Sequence, residues 1–280
     1  MTIDDIHAAI VETACEAARA AGAVAREAFL AFSPDTLAIE QKDGFFDVVT
    51  AADKEAEAVA KRVILASVPA SRILGEEEGW SGEGNTTWII DPIDGTSNFA
   101  SGLPIFAVSI AAYHAGETVC GVIYDPVRNE LFMAAGGVLT LNGQPLKPVL
   151  RGRIDREVEL LTNAPYEGDP IGREALDAFA RLVGSFRAVR RLGSCALHLA
   201  YVAAGRAAIS HETKFKAWDI AAGMQLVRAA GGRIFAWDAQ GRPVADPFAD
   251  VEQVRRVVVS HGAFDYEGSA LAALEWRTAA

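Results

Sequence analysis

"WIIDPIDGTSNF", residues Trp88–Phe99, sets an apolar run against two acids and a small polar turn. Trp88-Ile89-Ile90 reads as a short buried strand. It runs into Asp91 and Asp94, with Pro92 and Ile93 between them, and Gly95-Thr96-Ser97-Asn98 reads as a turn or the opening of a helix. Aspartate is a poor strand former, and two of them at a strand end need partners once they are even partly buried. A positive charge is expected to sit there.

On the N-terminal side, apolar residues at helical spacing (Ile6, Ile10, Ala14, Ala17, Ala21, Val24) predict a long helix over residues 4–30. Thr50 opens a second helix, and "RILGEEEGW" reads as a strand ending in acids, followed by a glycine-rich loop. On the C-terminal side, "FAVSIAAY", "ETVCGVIYD" and "ELFMAAG" read as three strands, and "LNGQPL" carries the Asn-Gly signature of a tight hairpin. From about residue 155, strand-like and helix-like runs alternate. This texture predicts an α+β lobe over residues 1–152, carrying most of the acids, and an α/β lobe over residues 153–280.

Composition narrows the function classes. At 280 residues the chain can bury a sizeable core, with 51% hydrophobic and 22% charged residues. A formal charge of −11 argues against binding nucleic acid as a polymer, which needs a basic footprint. It leaves a phosphate ester open as substrate, because a bound divalent cation reverses the local field. No apolar run reaches the roughly 20 residues of a membrane span. The acidic N-terminus lacks the features of a signal peptide, so no membrane role and a cytoplasmic location are expected. Cys15, Cys120 and Cys195 form no metal-type spacing and read as free thiols. Neither a P-loop nor a G-x-G-x-x-G dinucleotide loop is present.

Besides Asp91 and Asp94, acids stand out at Asp53, at Glu76 and Glu77, and at Asp219. Each has an ordinary reading taken singly. Thr50 and Asp53 fit a capping box, Asp219 fits a helix cap, Glu76–Glu78 fit a solvated charge run, and Asp91 and Asp94 fit turn residues. Together they point elsewhere, since Glu76, Asp91 and Asp219 all lie at junctions where a run meets a turn or helix start. Carboxylates converging without a cation would repel one another, and hard oxygen donors suit Mg²⁺ or Mn²⁺ rather than zinc. Backbone N–H groups of Gly95 and Thr96 would then face phosphate oxygens.

"DPIDGTSNF" together with "WDIAAG" resembles the paired signature of the inositol monophosphatase family, the Mg²⁺-dependent, lithium-sensitive sugar phosphatases. "KDGFFDVVTAAD", "ILGEEEG", "GLPIFAVSIA", "GVIYDP", "LNGQPL" and "RRLGSCALHLAYVAAG" resemble further family segments in order. The resemblance implies a layered αβαβα fold, a homodimer, and two or three Mg²⁺ ions with Mn²⁺ as a substitute. It implies that Glu76, Asp91 and the Ile93 carbonyl hold one ion, that Asp91, Asp94 and Asp219 hold another, and that Glu76 also faces a third through water. Thr96, hydrogen-bonded to Asp53, would activate a water for in-line attack on phosphorus without a phosphoenzyme.

The same resemblance places Asp94, Gly95, Thr96, Gly193, Ser194, Cys195 and Glu212 against the substrate. Glu77 would support the acidic turn and Lys42 would lie on a loop covering the site. For Glu212 an ordinary surface glutamate is an equal reading, and His211 reads as surface or as a neighbour of the site. Inositol 1-phosphate is the first expected substrate; histidinol phosphate, fructose 1,6-bisphosphate and 3′-phosphoadenosine phosphate are alternatives. A non-catalytic regulatory protein on the same fold is the competing class.

Overall fold

The computed structural model describes residues 2–31, 39–41, 48–166 and 172–274, with no side chains over 39–50. Lys42 lies outside the described residues, as does the side chain of Thr50.

The chain opens with α1 (Ile3–Leu30), then the short antiparallel ribbon of β1 (Ile39–Gln41) and β2 (Val48–Thr50), then α2 (Ala51–Ser67). Thr2 caps α1 through a reciprocal capping box with Asp5. The buried face of α1 is mostly alanine (Ala14, Ala17, Ala18, Ala21, Ala25), which lets α2 approach closely through Ala56 and Ala60.

An eight-stranded sheet follows, built from β3 (Ser71–Gly75), β4 (Gly79–Ser81), β5 (Thr86–Asp94), β6 (Ala107–His114), β7 (Glu117–Asp125), β8 (Glu130–Ala135), β9 (Val138–Leu141) and β10 (Gln144–Pro145). The short helix α3 (Thr96–Ala100) interrupts it after β5. Its order is β10-β9-β8-β7-β6-β5-β3-β4, antiparallel except that β3 and β5 run parallel side by side. The expected hairpin forms at Asn142-Gly143, both at positive φ (51° and 78°) as a tight hairpin turn requires. Gly79–Ser81, read from the sequence as loop, instead pairs with β3 as an edge strand.

The second sheet contains β11 (Glu159–Thr162), β12 (Ala188–Arg190), β13 (Ile209–Thr213), β14 (Arg233–Trp237) and β15 (Arg256–Ser260), in the order β12-β11-β13-β15-β14. Between them run α4 (Arg173–Ser185), α5 (Cys195–Ala203) and α6 (Ala217–Ala229).

Burial shows how these pieces stack. Trp88 and Ile90 of β5 face α1 and α2, while Ile89 faces α5 and α6. The same α5–α6 layer meets Leu161, Val257 and Val259 of the second sheet, whose other face packs on Leu182 of α4 and on Phe264 and Leu271. The result is the layered αβαβα arrangement, with both faces of both sheets covered. Small residues set the spacing of the middle layer. A Cβ on Gly223 of α6 would lie 2.5 Å from Leu199 Cβ of α5, and one on Gly121 of β7 would lie 3.0 Å from Ala222 Cα.

Candidate metal and active site

β5 does not stop at Ile90 as its apolar run predicts but continues to Asp94. Asp91 stands opposite Ser109 and Asp94 opposite Ala107, so three steps on β5 match two on β6. This is a β-bulge. In a regular strand, residues three apart point to opposite faces; the extra residue re-aims the chain so that both acids turn the same way. Pro92 sits inside the bulge, where a missing N–H costs no ladder bond, and Ile93 N–H donates to Asp91 Oδ1 at 3.0 Å.

Glu76 follows directly from β3, the parallel neighbour of β5, and its N–H donates to Ile90 O at 3.2 Å. The carboxyl ends of adjacent parallel strands thus deliver Glu76 and Asp91 to one place, the usual location of a site in such sheets. Asp219 arrives from the first turn of α6, where its Oδ2 accepts from Lys216 N at 2.5 Å. It does cap this helix, but from inside the first turn rather than ahead of it. Ser109, the residue facing Asp91 across the sheet, donates to Trp218 O at 2.9 Å and so pins the start of α6 to the bulge.

Ligand oxygens of Asp91, Asp94 and Asp219 lie within 4.8 Å of one another. Asp91 and Asp94 are buried and Asp219 is half-buried. Burial and the neighbouring charges of Glu76, Asp94 and Asp219 push Asp91 well above the usual carboxylate range. Burial, then Asp219, push Asp94 up to about 7, against the pull of bonds from Ser194 and Ala196. Asp219 rises to about 6, chiefly through burial. Three oxygen-only donors held close in a poorly solvated place, with Asp91 and Asp94 made stronger bases by their acidic neighbours, fit a hard divalent cation.

Asp94 also sits at the start of α5. It accepts from the Ser194 hydroxyl, from Cys195 N at 3.1 Å and from Ala196 N at 2.9 Å. This is the position where a helix N-terminus favours negative charge. Ser194 is itself the N-cap, accepting from Leu197 N at 3.3 Å. Gly193 is at φ +74° and a Cβ there would lie 2.8 Å from Asn98 Nδ2, while Gly95 is at φ +95°. Asn98 donates to both Ile105 O (2.8 Å) and Leu192 O (2.7 Å), tying the Gly-Thr-Ser-Asn turn to the Gly193 turn.

Thr96 is half-buried, and its hydroxyl lies 3.0 Å from Ile93 O and 3.4 Å from Asp53 Oδ1. Asp53 is buried, in the first turn of α2. The backbone N–H groups of Glu77 and Glu78 donate to the buried carboxylate of Glu57 (2.8 and 3.2 Å), which Lys61 neutralises at 2.6 Å. So Glu77 serves the acidic turn through its main chain, and Glu57 anchors it.

Glu212 is fully buried, not a surface residue, and His211, read as surface or near the site, is also fully buried. Burial lowers the His211 imidazole to about 3, so it is neutral. Glu212 accepts from His198 Nδ1 at 2.7 Å and from the Ser210 hydroxyl. Ser109, Glu57, Lys61 and His198 were not legible as site residues. The one sequence signal that pointed to the bulge was a proline inside an otherwise good strand.

The inositol monophosphatase family description matches residues 7–274. The chain belongs to this family. This family member is 42% identical over 222 residues to the Nus factor SuhB of Salmonella typhimurium, covering 78% of this chain and 82% of that protein. The extragenic suppressor protein SuhB of Bartonella henselae superposes with a TM-score of 0.79 at 31% identity, over 91% of this chain and 95% of the other. An inositol monophosphatase from Anabaena superposes with a TM-score of 0.73 at 33% identity, over 91% of each chain. Among the described residues no helix is long and apolar enough to cross a membrane.

Proposed function

We propose that this family member is a Mg²⁺-dependent phosphomonoesterase acting on a small polyol phosphate, with inositol 1-phosphate as the first substrate to test. The carrying observation is the cluster of Asp91, Asp94 and Asp219 oxygens within 4.8 Å, beside a threonine hydroxyl shared between Asp53 and the Ile93 carbonyl.

In this reading Asp91, Asp94, Asp219, Glu76 and the Ile93 carbonyl hold two or three Mg²⁺ ions, with Mn²⁺ able to substitute. Bound Mg²⁺ supplies the positive charge that offsets the carboxylates and the phosphoryl oxygens. Thr96 orients the attacking water and passes its proton toward Asp53, so no serine or cysteine nucleophile is required. Backbone N–H groups of Gly95 and Thr96 receive the phosphate. The Gly193-Ser194-Cys195 turn and Glu212 face the alcohol part of the ester. Positioning and charge neutralisation carry the rate. The protein acts as a homodimer in the cytoplasm.

The name Nus factor borne by relatives at 42% identity favours a second reading, in which the fold also serves a regulatory partner. The presence of Asp53, Glu76, Asp91, Asp94, Thr96 and Asp219 together weighs for catalysis, because a scaffold needs no such set. Phosphate release from inositol 1-phosphate, histidinol phosphate, fructose 1,6-bisphosphate and 3′-phosphoadenosine 5′-phosphate, with and without Mg²⁺ and Li⁺, tests the reading. Mg²⁺-dependent, Li⁺-suppressed release from one ester supports it. Silence across the panel favours the regulatory reading.

A further inference from the structure

Glu212 is held unevenly. Its Oε1 accepts from His198 Nδ1 at 2.7 Å and from the Ser210 hydroxyl. Its Oε2 is equally buried and has no hydrogen-bond partner among the described residues. The carboxylate stands close enough to the acidic cluster that its charge acts on both Cys195 and Asp219.

His198 is fully buried on α5 and is gripped at both ring nitrogens. Leu192 N–H donates to its Nε2 at 3.1 Å. A ring nitrogen that accepts carries no proton, so the donor is Nδ1, whose hydrogen points at Glu212. Turning the ring over would set carbon atoms against both the Leu192 amide and the Glu212 oxygen, so one orientation serves both contacts. Leu192 O in turn accepts from Asn98, and two residues on Ser194 donates to Asp94. One imidazole therefore joins the Glu212 carboxylate to the turn that holds a cluster acid.

We propose that His198 is a positioning residue for substrate selectivity. By clamping Glu212 Oε1 and the Leu192 amide, it aims Oε2 to accept a hydroxyl from the alcohol part of a phosphate ester. His198 and the Ser210 hydroxyl both donate to Oε1, so Oε2 is the acceptor left over. An ester with a hydroxyl at that place satisfies the lone oxygen. An ester without one leaves it unpaired, the situation in which polar sites discriminate most sharply. This inference rests on the phosphatase reading above, and the test separates the two.

The experiment compares kcat and KM for inositol 1-phosphate and for p-nitrophenyl phosphate, which offers no alcohol hydroxyl, in the wild type, His198→Leu and His198→Asn. Leucine removes both polar contacts. Asparagine keeps an N–H for Glu212 and a carbonyl for the Leu192 amide. His198→Leu is expected to lose about 10- to 100-fold in kcat/KM for the polyol ester, mostly through KM, the scale of loss from misplacing a positioning group. The p-nitrophenyl ester then stays within about threefold of wild type as a control on folding, and His198→Asn recovers most of the polyol preference. An unaltered preference in His198→Leu, or equal loss of both esters in both variants, overturns the proposal while the phosphatase reading stands. If His198→Leu does not fold, loss of the preference in His198→Asn overturns it. A wild type inert to both esters overturns inositol 1-phosphate as the substrate, and this proposal with it.

Discussion

Asp91 and Asp94 lie three residues apart on β5, yet their partners Ser109 and Ala107 lie two apart on β6. That single unmatched residue puts two buried carboxylates on one side of the strand, where Asp219 meets them within 4.8 Å. Burial and repulsion raise the proton affinity of Asp91 and Asp94, and burial raises that of Asp219, so the site is destabilising until a cation or protons occupy it. The first two predictions follow from that repulsion.

Asp91→Asn removes one charge and one donor. Mg²⁺-dependent phosphate release should fall about 10³-fold or more, the scale seen when a preorganised electrostatic partner is lost. The metal-free variant should melt at the wild-type temperature or a few degrees higher at pH 7.5, since a like charge has gone. Calorimetry with EDTA and with Mg²⁺ checks both, and substantial Mg²⁺-dependent turnover in Asp91→Asn would sink the assignment.

The pH dependence has a definite sign. Asp94 at about 7 and Asp219 at about 6 lie above the ordinary value of 3.8. A carboxyl raised in the folded state favours folding fully below its unfolded pKa, and that contribution is lost as pH rises through the folded pKa. The metal-free protein should therefore lose thermal stability between pH 4 and 7. The Mg²⁺-induced rise in melting temperature should be larger at pH 8 than at pH 5.5, because protons compete for the same oxygens. Scanning fluorimetry at the two pH values decides this, and an equal Mg²⁺ effect at both would count against the three-acid cluster.

Ser194 has two duties, capping α5 and donating to Asp94. Ser194→Ala should cost about 1–2 kcal/mol, the range for a lost cap with a buried acceptor left short of a donor. For a chain of 280 residues that corresponds to a melting-temperature loss of about 2–4 °C. Asp94 should also hold its proton more tightly, shifting the Mg²⁺ requirement upward. Chemical denaturation and a Mg²⁺ titration of turnover measure the two effects.

Gly75 precedes Glu76, and a Cβ there would collide with the Glu57 carboxylate that anchors Glu77 and Glu78. Gly75→Ala should cost about 1–3 kcal/mol by overpacking. It should raise the Mg²⁺ concentration for half-maximal rate, because the turn carrying Glu76 must shift. A destabilised protein with an unchanged Mg²⁺ requirement would show that Glu57 braces the fold but not the site.

Much of the architecture was readable from local pattern. The 3.6-residue period of α1, the Asn142-Gly143 hairpin and the alternation after residue 155 all match elements found in the structure. Misreadings came where pairing or burial overrode the local pattern. β5 runs past Ile90 because β6 continues its ladder, and Gly79–Ser81 joins an edge because β3 offers one. Glu212 reads equally as a substrate contact or a surface residue, and His211 as surface or a neighbour of the site, because such polar residues are mostly exposed. Here β13 is a central strand whose two faces are both covered, so His211 and Glu212 are buried alike.

What the amino-acid order determined by itself was the chemistry on offer: acids at strand ends and helix starts, a threonine after a tight glycine turn, and a family signature spanning most of the chain. Tertiary structure alone decided which groups meet. Asp219 is more than a hundred residues from Asp91 in sequence, and it arrives only because α5 and α6 are clamped between two sheets. The bulge that aligns Asp91 with Asp94, and the imidazole that aims Glu212, depend on partners on other elements. Strand register and layer packing are non-local, and no window of sequence contains them.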